Sequence, residues 1–182
     1  IVSTSTSDTS GIQNTALGYE ALRYATSTDR NTAVGYGALR MSSSGTADNS
    51  GYRNSAFGYG TLTDNTTGFE TSAFGYTALS SNTTGNENSA FGNYALFSNI
   101  TGSSNVALGT RALNINTTGS NNSVIGYQAL RYNASATNTV AIGYLAAQGT
   151  ALYNNQGGTY LGYQAGYSAG TGSNYNTLLG YQ

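Results

Sequence analysis

Residues 54–130 read NSAFGYGTLTDNTTGFETSAFGYTALSSNTTGNENSAFGNYALFSNITGSSNVALGTRALNINTTGSNNSVIGYQAL. Within this stretch NSAFGY, TSAFGY, NSAFGN, NVALGT and NSVIGY recur, each followed by Ala-Leu or a close copy. The glycine of each copy marks the phase, and working outward from it gives Gly18, Gly35, Gly58, Gly75, Gly92, Gly109, Gly126, Gly143, Gly162 and Gly180. The successive intervals are 17, 23, 17, 17, 17, 17, 17, 19 and 18 residues. One unit is used ten times, with a six-residue insertion in the second interval and stretched copies at the end. Self-similarity of this length marks a repeat architecture, in which a unit contacts chiefly its neighbours and cannot bury its apolar face alone.

The columns around the marker glycine identify the element. Four residues before it stands Asn in Asn14, Asn31, Asn54, Asn88, Asn105, Asn122 and Asn176, and two before it is usually Ala. The residue immediately before it is always larger and apolar: Leu17, Val34, Phe57, Phe74, Phe91, Leu108, Ile125, Ile142, Leu161 and Leu179. Four after it sits Leu, at 22, 39, 62, 79, 96, 113 and 130. The segment from Asn to the residue after the glycine, built on period two and bounded by turn residues, predicts a short strand. A helix and its return do not fit a 17-residue unit rich in Gly, Ser, Thr and Asn. A second periodic turn, Asn-Thr-Thr-Gly or a variant, recurs at 65–68, 82–85, 99–102 and 116–119, with Ala136 in the glycine's place after Asn133. Because Asn and Gly accept left-handed backbone angles at little cost, a tight corner ending at the glycine is expected. Each unit then reads strand, bend, short strand, corner, which is one coil of an all-β parallel solenoid. Ten coils at strand spacing make a rod roughly 48 Å long.

Along such a strand the large apolar column shares a face with the residue after the glycine, and Ala shares the other with the glycine itself. The large column is expected to line a thin core, each side chain contributing about 1.5–3 kcal/mol when fully buried. The flat Ala/Gly face then needs a cover, and self-association supplies it.

Residues 1–10, IVSTSTSDTS, lack the signature and are read as a leader or cap; 11–148 are the regular repeats; 149–182 are divergent terminal repeats. The insertion near 41–53 is expected to protrude laterally, since stacked strands cannot absorb it. Past 149 the rod is expected either to change cross-section or to approach a next domain, with Ala147 standing where Leu belongs and Gly158 where Asn belongs.

Composition excludes several functions. The 182 residues contain no Cys and no His, so there is no disulfide framework, thiolate or imidazole. Six Arg, no Lys and seven acids leave a net charge of −1, without the basic stripe a nucleic-acid binder needs. No apolar run approaches a membrane span and no secretory signal is visible at Ile1. The chain does not begin with Met, which points to a processed product or a piece of something longer. The acids are scattered over Asp8, Glu20, Asp29, Asp48, Asp64, Glu70 and Glu87, so no paired-carboxylate chemistry is legible and an enzyme is not expected.

The repeats Asn-Ser-Ala-x-Gly followed by Ala-Leu resemble the head repeats of trimeric autotransporter adhesins, the YadA-like family. They also resemble the Gly-Tyr-x-Ala-Leu arrays of bacterial surface and phage tail-fibre proteins. The resemblance covers Gly11 to Gln182. It implies a left-handed parallel β-roll, three chains bundled side by side, and adhesion at a cell or virion surface.

Two columns are candidate sites. Tyr follows the marker glycine at Tyr19, Tyr36, Tyr59, Tyr76, Tyr127, Tyr144, Tyr163 and Tyr181, with Asn93 and Thr110 interrupting. It reads either as a stacking ladder between coils, the favoured reading, or as an aromatic strip for sugars. Asn65, Asn82, Asn99, Asn116 and Asn133 are Asn-x-Ser/Thr acceptors on one edge of the rod, and Asn121 is a sixth. They read as possible glycan acceptors or, as the favoured reading, an unmodified Asn ladder. Glu70 and Glu87 share a phase and are weighed as Ca²⁺ ligands against solvated like charges, the latter favoured. Arg23, Arg40 and Arg131 mark a wet face. No cofactor is expected. The expected function is structural and adhesive, in an extracellular fibre whose partner is itself and, beyond that, a host or surface glycan or protein. An end-to-end filament is the first alternative. A glycan-binding or ice-binding solenoid is the second; the ice-binding form is disfavoured because the column three before the glycine mixes Thr15, Thr32, Ser55, Ser72, Val106 and Val140.

Overall fold

The computed structural model describes residues 12–25, 27–41, 50–150, 152, 154–168, 172 and 174–181. Its strands are β1 (Thr15–Leu17), β2 (Thr32–Val34), β3 (Ser55–Phe57), β4 (Ser72–Phe74), β5 (Ser89–Phe91), β6 (Val106–Leu108), β7 (Ser123–Ile125), β8 (Val140–Ile142), β9 (Thr159–Leu161) and β10 (Thr177–Leu179). They form one parallel sheet in chain order, β1 through β10. The register follows the repeat: Ala56 pairs with Ala73, Ala73 with Ala90 and Ala90 with Ala107. The chain is an all-β solenoid with one three-residue strand per coil. The proposed leader 1–10 and the centre of the insertion, 42–49, lie outside the described residues, so the expected lateral protrusion does too.

The core is the reverse of the expected one. The middle strand residue points inward, and Ala33, Ala56, Ala73, Ala90, Ala107, Val124 and Ala141 are buried. Facing them are the buried leucines Leu39, Leu62, Leu79, Leu96, Leu113 and Leu130. The large column before the marker glycine points outward, Leu108 being 48% exposed and Phe91 37%. The physical reason is width: a 17-residue coil encloses the Ala column, the Leu column and two columns of buried Asn, and no space remains for Phe. Outside, Phe57, Phe74 and Phe91 stack with ring centroids 4.7 Å apart.

Among the described residues the expected second strand is also absent. The residues two and four after the marker glycine adopt left-handed angles, for instance φ 50° at Thr77 and 52° at Leu79. The hydrogen-bond ladder nonetheless continues around the turns, with Thr77 N donating to Tyr59 O at 2.8 Å and Leu79 N to Ala95 O at 3.0 Å. A Leu in this conformation costs about 1–2 kcal/mol, which its burial, about 1.5–3 kcal/mol, offsets.

The Asn-Thr-Thr-Gly corner differs from expectation as well. Gly68, Gly85, Gly102 and Gly119 are not among the positive-φ residues. They are glycine because successive corners touch: a Cβ on Gly68 would lie 2.7 Å from Gly85 O. The marker glycines satisfy both demands, with φ 133° at Gly75 and a Cβ position 2.7 Å from Gly92 O.

Toward the end of the chain the cross-section is refilled. β9 places Tyr160 where Ala stands in the middle coils, and its side chain is 1% exposed. A Cβ on Gly166 would lie 2.6 Å from Tyr160 Cε1 and one on Gly158 2.8 Å from Tyr160 Cζ. Glycine has replaced the facing Leu and the column Asn to admit one ring.

Candidate functional site

The eight tyrosines lie just past the bend at the marker glycine and all are exposed, from 42% at Tyr163 to 80% at Tyr181. Because coils stack in register, their rings stack. Tyr19, Tyr36, Tyr59 and Tyr76 follow one another at centroid distances of 5.3, 5.0 and 5.2 Å. Tyr127, Tyr144, Tyr163 and Tyr181 do so at 5.4, 5.3 and 5.0 Å. Inside each block both faces of a ring are covered by neighbours. What remains outward there are ring edges and hydroxyls, so the interior of each block is a stacking ladder that offers no ring face to a sugar.

Asn93 and Thr110 separate the two blocks. Asn93 Oδ1 accepts the Tyr76 backbone N–H at 3.2 Å. Tyr94, two residues past its marker glycine, turns edge-on to Tyr76 at 5.3 Å and 62°. The Arg111 guanidinium lies over the Tyr94 ring, 5.6 Å from its centroid. A phenolate at Tyr76 is disfavoured first by the Tyr94 phenol, then by partial burial and by Tyr59, which raises its pKa above the ordinary 10.0. Beyond the gap, Tyr127 is held by Gln128 Nε2 donating to its hydroxyl at 2.8 Å, and Arg131 donates to Gln128 Oε1 at 3.1 Å.

The asparagine column is interior. Asn65, Asn82, Asn99, Asn116 and Asn133 are fully buried. Asn99 Nδ2 donates to Asn82 Oδ1 at 2.8 Å and to Gly102 O at 2.9 Å, and Asn82 repeats the pattern to Asn65 and Gly85. Asn116 does the same to Asn99 and Gly119. The reading of these five as glycan acceptors is therefore corrected: a glycan needs the Nδ2 that the fold buries and hydrogen-bonds. The ladder stops at Asn133, whose Nδ2 turns to Asn155 O at 2.9 Å and leaves Asn116 Oδ1 without a donor. Asn121 differs, being exposed at φ 61°.

A second buried ladder went unrecognised in the sequence. The Asn four residues before the marker glycine receives the next coil's backbone, as when Asn105 N donates to Asn88 Oδ1 at 3.0 Å. Its Nδ2 reaches the corner carbonyl, Asn105 to Gly119 O at 2.9 Å, the oxygen that Asn116 also contacts. The available signal was two Asn columns of equal regularity, since exposed positions rarely hold one polar residue type so strictly.

Charged side chains pair along one column, five residues before the marker. Arg30 Nε donates to Gln13 Oε1 at 3.0 Å, Arg53 pairs with Glu70 at 2.5 Å, and Ser104 Oγ donates to Glu87 Oε2 at 3.2 Å. Glu70 and Glu87 thus have separate partners, Arg53 and Ser104. Among the described residues no group of three or more His, Cys, Asp or Glu could hold a metal ion. Of the three arginines read as a wet face, Arg23 and Arg40 both reach Glu20, with side chains 44% and 41% exposed. Beside the first tyrosine block a hollow of about 110 Å³ is lined by Tyr36, Gly37, Arg40, Tyr59, Gly60 and Thr63. No helix is long and apolar enough to cross a membrane among the described residues.

No protein-family model, curated protein or solved structure matches the chain.

Proposed function

We propose that the chain is a structural and adhesive module of an extracellular fibre, on a cell or virion surface, that acts as a homotrimer and carries out no catalysis. The observation that supports this reading is the outward strand face. Leu17, Phe91, Leu108, Ile125 and Leu161 are each 37–48% exposed along one row, an apolar stripe of the size that commonly marks a functional surface. Self-association was expected through Ala and Gly; the exposed columns move it to the large apolar row.

Size favours three chains over two. A face one strand wide and ten coils long measures about 10 by 48 Å, near 500 Å². That falls short of the roughly 800 Å² per partner typical of a stable interface. In a closed ring of three each rod touches two neighbours, so the flanks beside this face are buried as well, with a symmetry that leaves no open edge. The low charge of the chain, 7% Asp, Glu and Arg, fits a surface that is largely covered. Adhesion is then the presentation of the remaining flanks, the tyrosine ladder among them, to a glycan or protein outside the cell.

The test is molar mass by light scattering with negative-stain images of the same sample. The expected result is a discrete species of three chains that falls to one on Phe74→Asp and Leu108→Asp together. A wild-type monomer at tens of micromolar overturns the trimer. Long filaments with a regular axial repeat replace it with end-to-end polymerisation.

A further inference from the structure

We propose that the interruption of the tyrosine ladder at Asn93 and Thr110 is a binding site for a carboxylated saccharide, with Tyr127 as the stacking platform and Arg111 as the carboxylate partner. The inference rests on the adhesive part of the proposed function and not on the trimer.

The argument starts from ring faces. Tyr36, Tyr59, Tyr144 and Tyr163 are stacked on both sides. Tyr127 stacks on Tyr144 only, because the coil before it carries Thr110 in its column. Tyr94 takes the place beside Tyr76, edge-on at 5.3 Å, so one ring's place stays open at Thr110, about 5 Å along the rod at strand spacing, the thickness of one pyranose laid on Tyr127. An aromatic face is electron-rich and attracts the partly positive C–H groups of a sugar. The Tyr127 ring is also fixed in advance by the Gln128 and Arg131 chain on its hydroxyl, so little freedom is lost on binding.

The charge comes from Arg111. It lies against Tyr94, and the ion pairs among the described residues use Arg23, Arg40 and Arg53, not Arg111. All seven acids of the chain lie at or before Glu87, whereas the 95 residues after it contain Arg111, Arg131 and no acid at all. The gap therefore holds a cation, Arg111, and the one acid in its two coils, Glu87, is taken by the Ser104 hydroxyl. A guanidinium presents a planar pair of donors that matches a carboxylate. Asn93, whose Oδ1 already accepts from Tyr76, has its amide nitrogen for a sugar hydroxyl, and Thr110 adds a hydroxyl.

The gap is not needed by the fold. The same position is Tyr in eight coils, so Asn93→Tyr with Thr110→Tyr restores the repeat, displaces Tyr94 from Tyr76 and is expected to keep the fold. This makes the double variant a control that removes the site and keeps the rod. The experiment is calorimetric titration with tetragalacturonate and with the same oligosaccharide after carboxyl reduction, on the wild type, Arg111→Gln and the double variant, with circular dichroism and melting of each. The expected result is a dissociation constant below about 1 mM for the acidic probe, about tenfold weaker for the reduced probe and for Arg111→Gln, and no binding to the folded double variant. Equal affinity for both probes, unchanged binding by the double variant, or no binding by the wild type overturns the site. Trimers that bind no saccharide overturn this inference alone, and monomers that bind it overturn the trimer alone.

Discussion

In the coils from Asn54 to Leu130 the inward strand residue is Ala, or Val at Val124, and a buried Leu four residues past the marker glycine closes the core. In the coil of β9 the inward residue is Tyr160, the Leu has become Gly166 and the column Asn has become Gly158. The backbone register is the same, since Ala141 pairs with Tyr160 as Ala56 pairs with Ala73. What the coil conserves is enclosed volume and not the residue at any one position, as expected of an interior packed to crystal-like density. A ring entering from the strand side obliges the opposite side to shrink.

Both regions share the marker glycine, so the largest expected effect breaks them alike. Gly75→Ala places a methyl 2.7 Å from Gly92 O at a φ of 133° that side chains rarely adopt. A loss of about 4 kcal/mol or more is expected, read as a shift in the denaturant midpoint; a change under 1 kcal/mol would mean that neighbouring coils are not in contact there.

The next effect separates the regions. Tyr160→Ala leaves the space between Gly158 and Gly166 empty and is expected to cost about 3–5 kcal/mol. Adding Gly166→Leu rebuilds the Ala and Leu pair of the middle coils and is expected to recover most of that loss. If the second substitution instead deepens the loss, enclosed volume is not the conserved quantity and the comparison fails.

A smaller effect belongs to the middle coils. Asn99→Ala removes the donor to Asn82 Oδ1 and Gly102 O inside the rod, at an expected cost of about 2–3 kcal/mol. The equivalent change at Asn133, where the ladder has already ended, is expected to cost less. Equal losses at both positions would remove the ladder as a cooperative element.

The smallest effect is a pH dependence. Partial burial raises the Asp64 pKa from 3.8, against the lowering influence of Arg40. A folded pKa above the unfolded one means that the native state holds its proton longer, so stability from this group falls as pH rises from 3.8 through the folded value. Asp64→Asn is expected to be slightly more stable than the native chain at pH 7 and equal to it below pH 3.8; the opposite order at pH 7 would show that Arg40 dominates.

Much of this was legible from one chain. The 17-residue period, the strand before each glycine, the parallel stacking and the stacked tyrosines follow from the columns because a repeat places like residues one above another. The gap at Asn93 and Thr110 was visible too, but its meaning depended on which ring faces the stack leaves open. Two of the readings that failed, large side chains inward and Gly68-type glycines at left-handed angles, failed for one reason. Period two assigns residues to two faces without saying which face is inside. Gly likewise signals either an unusual angle or a close contact without saying which.

What the sequence determined by itself is therefore the number of coils, their register and the columns they align, because these depend only on spacing. The tertiary structure alone decided which columns are interior. Closing 17 residues into a loop leaves a cross-section that admits Ala, Leu and two Asn columns and excludes Phe. The apolar stripe is on the surface and the asparagines are in the core because that width is a property of the closed coil and of no single segment of it.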